Sequence, residues 1–388
     1  MNLSQNSPPL PLQRNDINNL RPTKLFVDLS ALVKNVKSLK KECNGSSLLA
    51  VVKADCYGLG AVQISKTLSK ERVVSIFGIA TLSEGIELRE NGIKEQILVL
   101  GALYDGEFEI ALKYDITPTI YSFSSLKKMI QLSRKVKKQI NVHLKIDSGM
   151  GRLGFRKEEL TRILEELSCS QLISVEGVFS NLASADDLDS DKTDRQYKQF
   201  LEMVDLIEKS GIKLKFLHLA NSSGAIFHPS TRFNLIRPGI AMYGFFPDDH
   251  LEFKGLKKAV RFETTIIQVK NMPENSEIGY GASYRTKKNE RVAILPIGYG
   301  DGLPRILGSE GGFVLINGKK APFIGRISMD LSAVSLNGIE AKEGDKVTLW
   351  GKEGKFELSP YDWAKWARTI PYEILTGISK RVPKIYLE

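Results

Sequence analysis

The sequence predicts an α/β protein: a TIM-type (β/α)8 barrel followed by a mostly antiparallel β-domain. Three observations carry that expectation. From Thr23 to about Met242 short apolar runs alternate with helical patterns, which is how parallel strands covered by helices read in sequence. Past about Leu256 the text turns β-rich. At 388 residues the chain exceeds the size at which one hydrophobic core usually stops growing. The expected division is residues 1–256 for the barrel and 257–388 for the β-domain.

The first strand candidate is the run Leu48-Leu49-Ala50-Val51-Val52, which ends at Lys53 and opens the glycine-bearing stretch Lys53-Ala54-Asp55-Cys56-Tyr57-Gly58-Leu59-Gly60. Further strand candidates end near Ala80, Gly101, Ile120, Asp147, Ser180, Ala220 and Arg237, and about eight β/α units close a barrel. Between them, Ser83 to Asn91, Lys157 to Leu167 and Asp191 to Lys209 show apolar residues at three- and four-residue spacing, the helical period. The second domain offers strands at Phe262 to Val269, Arg291 to Ile297, Phe313 to Ile316, Ala333 to Leu336 and Lys346 to Trp350. Asn317-Gly318 has the composition of a tight hairpin turn. One helix, about Pro360 to Ala367, precedes a last strand ending at Leu387.

Composition narrows the function classes. With 42% hydrophobic and 26% charged residues the chain is ordinary globular protein. No apolar stretch approaches the length that spans a bilayer, and Met1 to Pro22 lacks a signal-type apolar core, so a soluble cytoplasmic protein without membrane contact is expected. The three cysteines, Cys43, Cys56 and Cys169, have no metal-type spacing, and the four histidines are scattered, so no metal site is expected. The net charge of +10 is spread rather than clustered, and Asp186 to Asp194 forms an acidic counter-stretch. Nucleic-acid binding is therefore not expected, and a field that draws in small anions is.

In a barrel of this kind the working face lies at the carboxyl ends of the strands, and the chemistry-bearing residues fall there. Lys53 ends a buried run; an ammonium so placed loses hydration, its pKa falls, and the free amine can form a Schiff base. Asp147 is followed by Gly149-Met150-Gly151-Arg152, the seventh strand by Asn221-Ser222, and the eighth by Arg237-Pro238-Gly239-Ile240. Glycines and a serine at the last two exits match the position where such barrels hold phosphate. Taken singly, Arg152 reads as a surface charge, Tyr280 as a turn residue, Met329 as core filling and Asn221-Ser222 as a helix cap.

Together these segments resemble the alanine racemases, pyridoxal phosphate enzymes with a barrel followed by a β-domain. The resemblance runs from Arg21-Pro22-Thr23 through Val52-Lys53-Ala54-Asp55, Lys145-Ile146-Asp147-Ser148-Gly149-Met150-Gly151-Arg152, Ala220-Asn221-Ser222 and Arg237-Pro238-Gly239-Ile240. It resumes at Gly279-Tyr280-Gly281, Pro296-Ile297-Gly298-Tyr299, Arg326-Ile327-Ser328-Met329-Asp330 and Tyr372-Glu373. It implies pyridoxal 5'-phosphate bound to Lys53, with Lys53 and Tyr280 as the two catalytic bases. Racemisation removes a proton from one face of Cα and returns one to the other, so two groups on opposite sides meet the geometry. Arg152 is the cation that would make a phenol an effective base.

The resemblance further implies that Arg237 faces the cofactor ring nitrogen, with His218 close to the ring. Tyr57, Ser222, Gly239, Ile240 and Tyr372 are implied to hold the phosphate. Arg152 and the backbone at Met329 would receive the substrate carboxylate. Asn221, Tyr299 and Asp330 are implied as supporting residues, and Lys145 corresponds to a position that family members often carry as a carbamate. Tyr280 and Met329 belong, in the family, to the partner subunit's site, which implies a head-to-tail homodimer and D-alanine supplied for cell-wall peptidoglycan.

Four positions depart from the family text: Leu59 and Asn181 stand where histidines are usual, Ser328 and Thr376 where cysteines are frequent. Asn181 matters most, because an amide keeps a hydrogen bond but carries no proton. Two other readings stay open at this point. One is a serine or broad-specificity racemase on the same scaffold, with Tyr299, Arg326, Ile370 and Tyr372 as gate residues, since one methylene is worth only about 1–3 kcal/mol. The other is a non-catalytic pyridoxal phosphate carrier, against which the β-domain with Tyr280 and Met329 argues.

Overall fold

The structure is a computed structural model that describes residues 20–388. It divides into two compact units. The barrel unit comprises Asp28–Ala259, Ile370–Thr376 and Leu387–Glu388; the β-unit comprises the described part of Met1–Val27, then Val260–Thr369 and Gly377–Tyr386. The chain thus passes between the units more than once. The first strand, β1 (Lys24–Asp28), pairs antiparallel with Val260–Thr265, Leu25 opposite Phe262, and so joins the β-unit. The short helix Pro371–Thr376 returns to the barrel unit, where Tyr372 packs 5.8 Å, centroid to centroid, from Tyr57.

The barrel strands are β2 (Ser47–Val51), β3 (Ile76–Ile79), β4 (Gln96–Val99), β5 (Ile116–Thr117), β6 (Thr119–Ile120), β7 (Ile140–Lys145), β8 (Ile173–Phe179), β9 (Phe216–His218) and β10 (Leu235–Ile236). They form two parallel ladders, β10-β2-β3-β4-β5 and β6-β7-β8-β9. Pro118 separates β5 from β6, because a proline has no N–H to give the ladder; its carbonyl still accepts from His143 N at 3.1 Å. With β5 and β6 taken as one interrupted strand, the expected eight strand positions are filled. At the other seam the Asn234 side chain does the work of a backbone: Oδ1 accepts from Leu217 N and Nδ2 donates to Lys215 O, both at 2.8 Å.

The helices cover the ladders as their period requires. Lys192–Lys209 buries Gln196, Phe200, Met203, Val204 and Ile207, a three- and four-residue stripe. Among the described residues no helix is long and apolar enough to cross a membrane.

The β-unit is antiparallel. The run expected as one strand, Phe262 to Val269, is a corner between Val260–Thr265 and Gln268–Met272. Ile266 N donates to Asp345 O and Ile267 N to Ile294 O, each at 3.0 Å, so adjacent residues hand the chain from one sheet to another. Asn317 and Gly318 both take positive φ (48° and 71°) and close the hairpin Phe313–Ile316/Lys319–Pro322, as expected. Trp350 and Trp363, fully buried with ring centroids 4.9 Å apart, centre the core. Asp301, also fully buried, receives Arg21 at 2.6 Å and Arg381 at 2.7 Å, and Arg381 reaches on to Asp330 at 2.6 Å.

Candidate active site at the carboxyl ends of the barrel strands

A cavity of about 320 Å³ opens where the barrel strands end, and the residues lining it all belong to the barrel unit. Ten of the residues given a part in the sequence reading line it: Lys53, Tyr57, Lys145, Arg152, Asn181, Asn221, Ser222, Arg237, Gly239 and Tyr372. Barrel geometry explains the convergence, since strand ends from all sides point at one mouth.

Lys53 follows β2, whose ladder runs one residue further: Val52 N donates to Gly78 O at 2.9 Å. Then the backbone reverses hand. Ala54, Asp55, Cys56 and Tyr57 all have φ between 52° and 58°, a left-handed turn made of side-chain-bearing residues. Each such residue costs roughly 1–2 kcal/mol, so the surroundings must fix it. Cys56 N donates to Val52 O (2.9 Å), the Asp55 side chain accepts from Ala61 N (2.8 Å), and Glu84 accepts from Ala54 N (2.7 Å). Gly58 continues the positive φ at 81°, and a Cβ there would meet the Leu375 carbonyl oxygen at 2.5 Å. Burial, with help from Arg152 and Arg237, pulls the Lys53 pKa below its ordinary value; Glu84 acts the other way.

Opposite stands Arg237, buried just after β10. Nη1 donates to His218 O at 2.6 Å and lies 3.3 Å from His218 Nδ1; Nη2 donates to Ser180 O (2.6 Å), Leu219 O (3.1 Å) and Asn181 Oδ1 (3.1 Å). Burial lowers its pKa to about 9, which leaves it cationic at neutral pH. Behind it a polar column descends the barrel interior. His218 Nε2 lies 2.9 Å from His143 Nδ1, and His143 Nε2 lies 4.0 Å from Glu176, which Lys215 and Gln96 hold at 2.8 Å each. His218 is stacked on Phe179, centroids 4.7 Å apart, and does not line the cavity. Burial holds His143 down to about 4 and His218 well below the usual imidazole range, so both stay neutral at pH 7.

Lys145 extends from the end of β7 with its ammonium 4.4 Å from the Phe179 ring centre. Burial, then Arg237, Arg152 and Lys53, lower its pKa to about 7, so a substantial fraction is uncharged amine at neutral pH. The Asp147 carboxylate accepts from Gly149 N, Met150 N and Gly151 N, which folds the loop that carries Arg152 to the rim.

The end of the cavity at Ser222 and Gly239 has its own construction. Asn221 caps the helix Ser222–Phe227 through Gly224 N at 3.0 Å. Ser222 Oγ accepts from Gly239 N (3.0 Å) and Ala241 N (3.3 Å). A Cβ on Gly239 would sit 2.0 Å from the Tyr57 hydroxyl, so this backbone approach requires glycine. Burial and the neighbouring Tyr372 push the Tyr57 phenol above its usual range, which keeps it a neutral donor. Ile240 is fully buried, starts a short 3-10 turn and does not line the cavity.

The remaining sequence candidates lie in the β-unit. Tyr280 follows Gly279 between Glu277–Ile278 and Tyr284–Arg285, and 71% of it is exposed. Met329 is 52% exposed; its carbonyl accepts from Gly300 N at 2.9 Å, and Tyr299 N donates to Ser328 O at 3.0 Å. Asp330 is held by Arg381.

Sequence reasoning passed over His143, Phe179 and Glu84. His143 and Phe179 were findable: His143 is two residues before Lys145, hence on the same inward face of β7. Phe179 immediately precedes the strand end expected at Ser180.

An amine at a strand end, a caged arginine and a backbone-and-hydroxyl cradle suit one class: a barrel enzyme with a phosphorylated aldehyde cofactor. Comparisons give the family. Residues 27–247 match the model of the alanine racemase N-terminal domain and residues 259–386 that of the C-terminal domain. The chain is 38% identical over 374 residues to an alanine racemase of Clostridium tetani, covering 95% of this chain and 96% of that protein. It is 37% identical over 366 residues to one of Methanococcus maripaludis, covering 93% and 97%. Among solved structures, Bacillus anthracis alanine racemase with bound L-Ala-P superposes with a TM-score of 0.89 at 36% identity, covering 95% of each chain. Alanine racemase of Bartonella henselae with covalently bound pyridoxal phosphate gives 0.86 at 29% identity, covering 94% of this chain and 99% of that one. The chain belongs to the alanine racemase family; it is an isomerase that interconverts L-alanine and D-alanine with pyridoxal 5'-phosphate.

Proposed function

We propose that Lys53 and Tyr280 exchange protons with opposite faces of the alanine Cα, Tyr280 being supplied by a second copy of the chain in a head-to-tail homodimer. The observation that carries this reading is the pairing of a cavity-lining lysine of lowered pKa with a tyrosine left 71% exposed on the β-unit. Bound pyridoxal phosphate supplies the electron sink that makes the Cα proton removable. Its phosphate fits the Tyr57 hydroxyl, Ser222, Tyr372 and the backbone N–H groups at Gly239 and Ile240, a set suited to a dianion. Arg237, unable to give up a proton readily, would leave the cofactor's ring nitrogen unprotonated, with His218 as its support.

Arg152 and the Met329 backbone orient the substrate carboxylate. Lys145, partly uncharged, has the form of amine that reacts with carbon dioxide to give a carbamate and a proton, which would place an anion beside Arg152. Asn221, Tyr299 and Asp330 shape the site from behind. The physiological role is D-alanine supply for peptidoglycan in the cytoplasm.

Complementation tests the shared site. Lys53→Ala and Tyr280→Phe should each be inactive alone. Co-expressed, they should recover about a quarter of wild-type turnover, because half of randomly paired dimers carry one intact site of two. No recovery in a mixture proven to contain the heterodimer would end the composite-site reading.

A further inference from the structure

The Glu84 side chain lies outside the cavity lining, yet its carboxylate spans two elements. Oε2 accepts from Ala80 N at 2.7 Å and Thr81 N at 3.1 Å, while Oε1 accepts from Ala54 N at 2.7 Å. Glu84 is the third residue of the helix Leu82–Glu90, and reaching back to Thr81 N is the ordinary half of a capping box. That duty uses one oxygen. The other serves no need of its own helix.

The need it serves is next to Lys53. The ladder between β2 and β3 ends at Val52 N and Gly78 O, and one residue later the backbone turns left-handed. Ala54 N thereby leaves the sheet and has to find an acceptor elsewhere. A carboxylate arriving from the neighbouring helix meets it, and by the same stroke ties this turn to the residues that follow β3.

We propose that Glu84 is a positioning residue for Lys53: by bridging Ala54 N to Ala80 N and Thr81 N it fixes the left-handed turn and with it the stance of the amine at the cavity mouth. The proposal rests on the reading of Lys53 as the cofactor-bearing lysine. Electrostatics act in concert. The charges that bear on Lys53 are the cations Arg152, Arg237 and Lys145, with Glu84 as the opposing anion.

Glu84→Gln separates this role from general support. An amide has one acceptor oxygen and a donor NH2, so it must set N–H against N–H at one end of the bridge. Two ligands are titrated into apo protein and followed by absorbance or calorimetry: pyridoxal phosphate, which needs the lysine, and pyridoxine phosphate, which has no aldehyde and needs only the phosphate cradle. In the variant the dissociation constant for pyridoxal phosphate should rise about tenfold and the pH midpoint of its capture should move down, with pyridoxine phosphate affinity held within about twofold. Hydrogen exchange should quicken at Ala54, and Glu87→Gln, an exposed change on the same helix, should do none of this. Glu84→Asp, which keeps the charge but not the reach, should restore the pH midpoint and not the exchange protection, and it serves equally if Glu84→Gln fails to fold. Equal weakening of both ligands, or an unchanged pH midpoint and Ala54 exchange, overturns the role alone. A parent protein that binds neither ligand overturns the cofactor reading and this role with it.

Discussion

At Gly239 the Tyr57 hydroxyl occupies the space where any other residue would put its Cβ, 2.0 Å away. Gly239→Ala should therefore displace the phenol, and since a lost hydrogen bond to a charged group costs about 1.5–3 kcal/mol, cofactor affinity should fall by about tenfold or more. Equilibrium titration with pyridoxal phosphate reads it. His143 and His218 predict an acid limit. Each has a folded-state pKa below its unfolded value near 6.5, so the unfolded chain binds more protons as pH falls below that value. Stability is then full above about pH 6.5 and lost as pH falls toward 4, the folded-state value of His143. A His143→Gln variant should show a shallower loss of melting temperature across that window. The cavity-lining positions of Lys53, Arg237 and Gly239 were legible because each sits at a strand exit beside a motif. His143 was passed over although its spacing from Lys145 puts it on the inward face; what the sequence does not mark is its partner, His218, 75 residues away.

Among elements, the turn after β2 departs furthest from what composition conveys. Its glycines announced a turn, but nothing in Ala54-Asp55-Cys56-Tyr57 announces four successive left-handed residues, since the compensating contacts come from Glu84 and the helix Pro371–Thr376. Gly58→Ala would combine a positive φ with a carbonyl 2.5 Å from the new methyl. The expected loss is at least about 2 kcal/mol, read as a fall of several degrees in the melting temperature of the apo protein. The barrel strands were legible as apolar runs, and the helices to within about two residues because their buried stripes keep period. The corner at Ile266 and Ile267 was not, because both sides of it are strand and only the change of hydrogen-bonding partner marks the bend.

For the whole molecule, the text changes from alternating to β-rich past about Leu256, and the units divide after Ala259 and again at Ile370–Thr376. What no linear reading could place is β1, whose partner strand begins more than two hundred residues later. The proposed sharing of Tyr280 makes quaternary structure part of catalysis. Diluted until sedimentation shows monomer, the protein should lose turnover while its visible cofactor absorbance persists; a proven monomer that still racemises alanine would contradict the shared site.

The wall that Tyr372 gives the cavity has a consequence for how the molecule comes into being. It follows Gly239, the preceding lining residue, by 133 positions, so on the ribosome the strands and helices of the barrel can all emerge while the chamber they surround still lacks a side. The vitamin-derived group therefore has no finished berth until the stretch between them has been translated, a timing dictated by where one tyrosine falls in the reading frame.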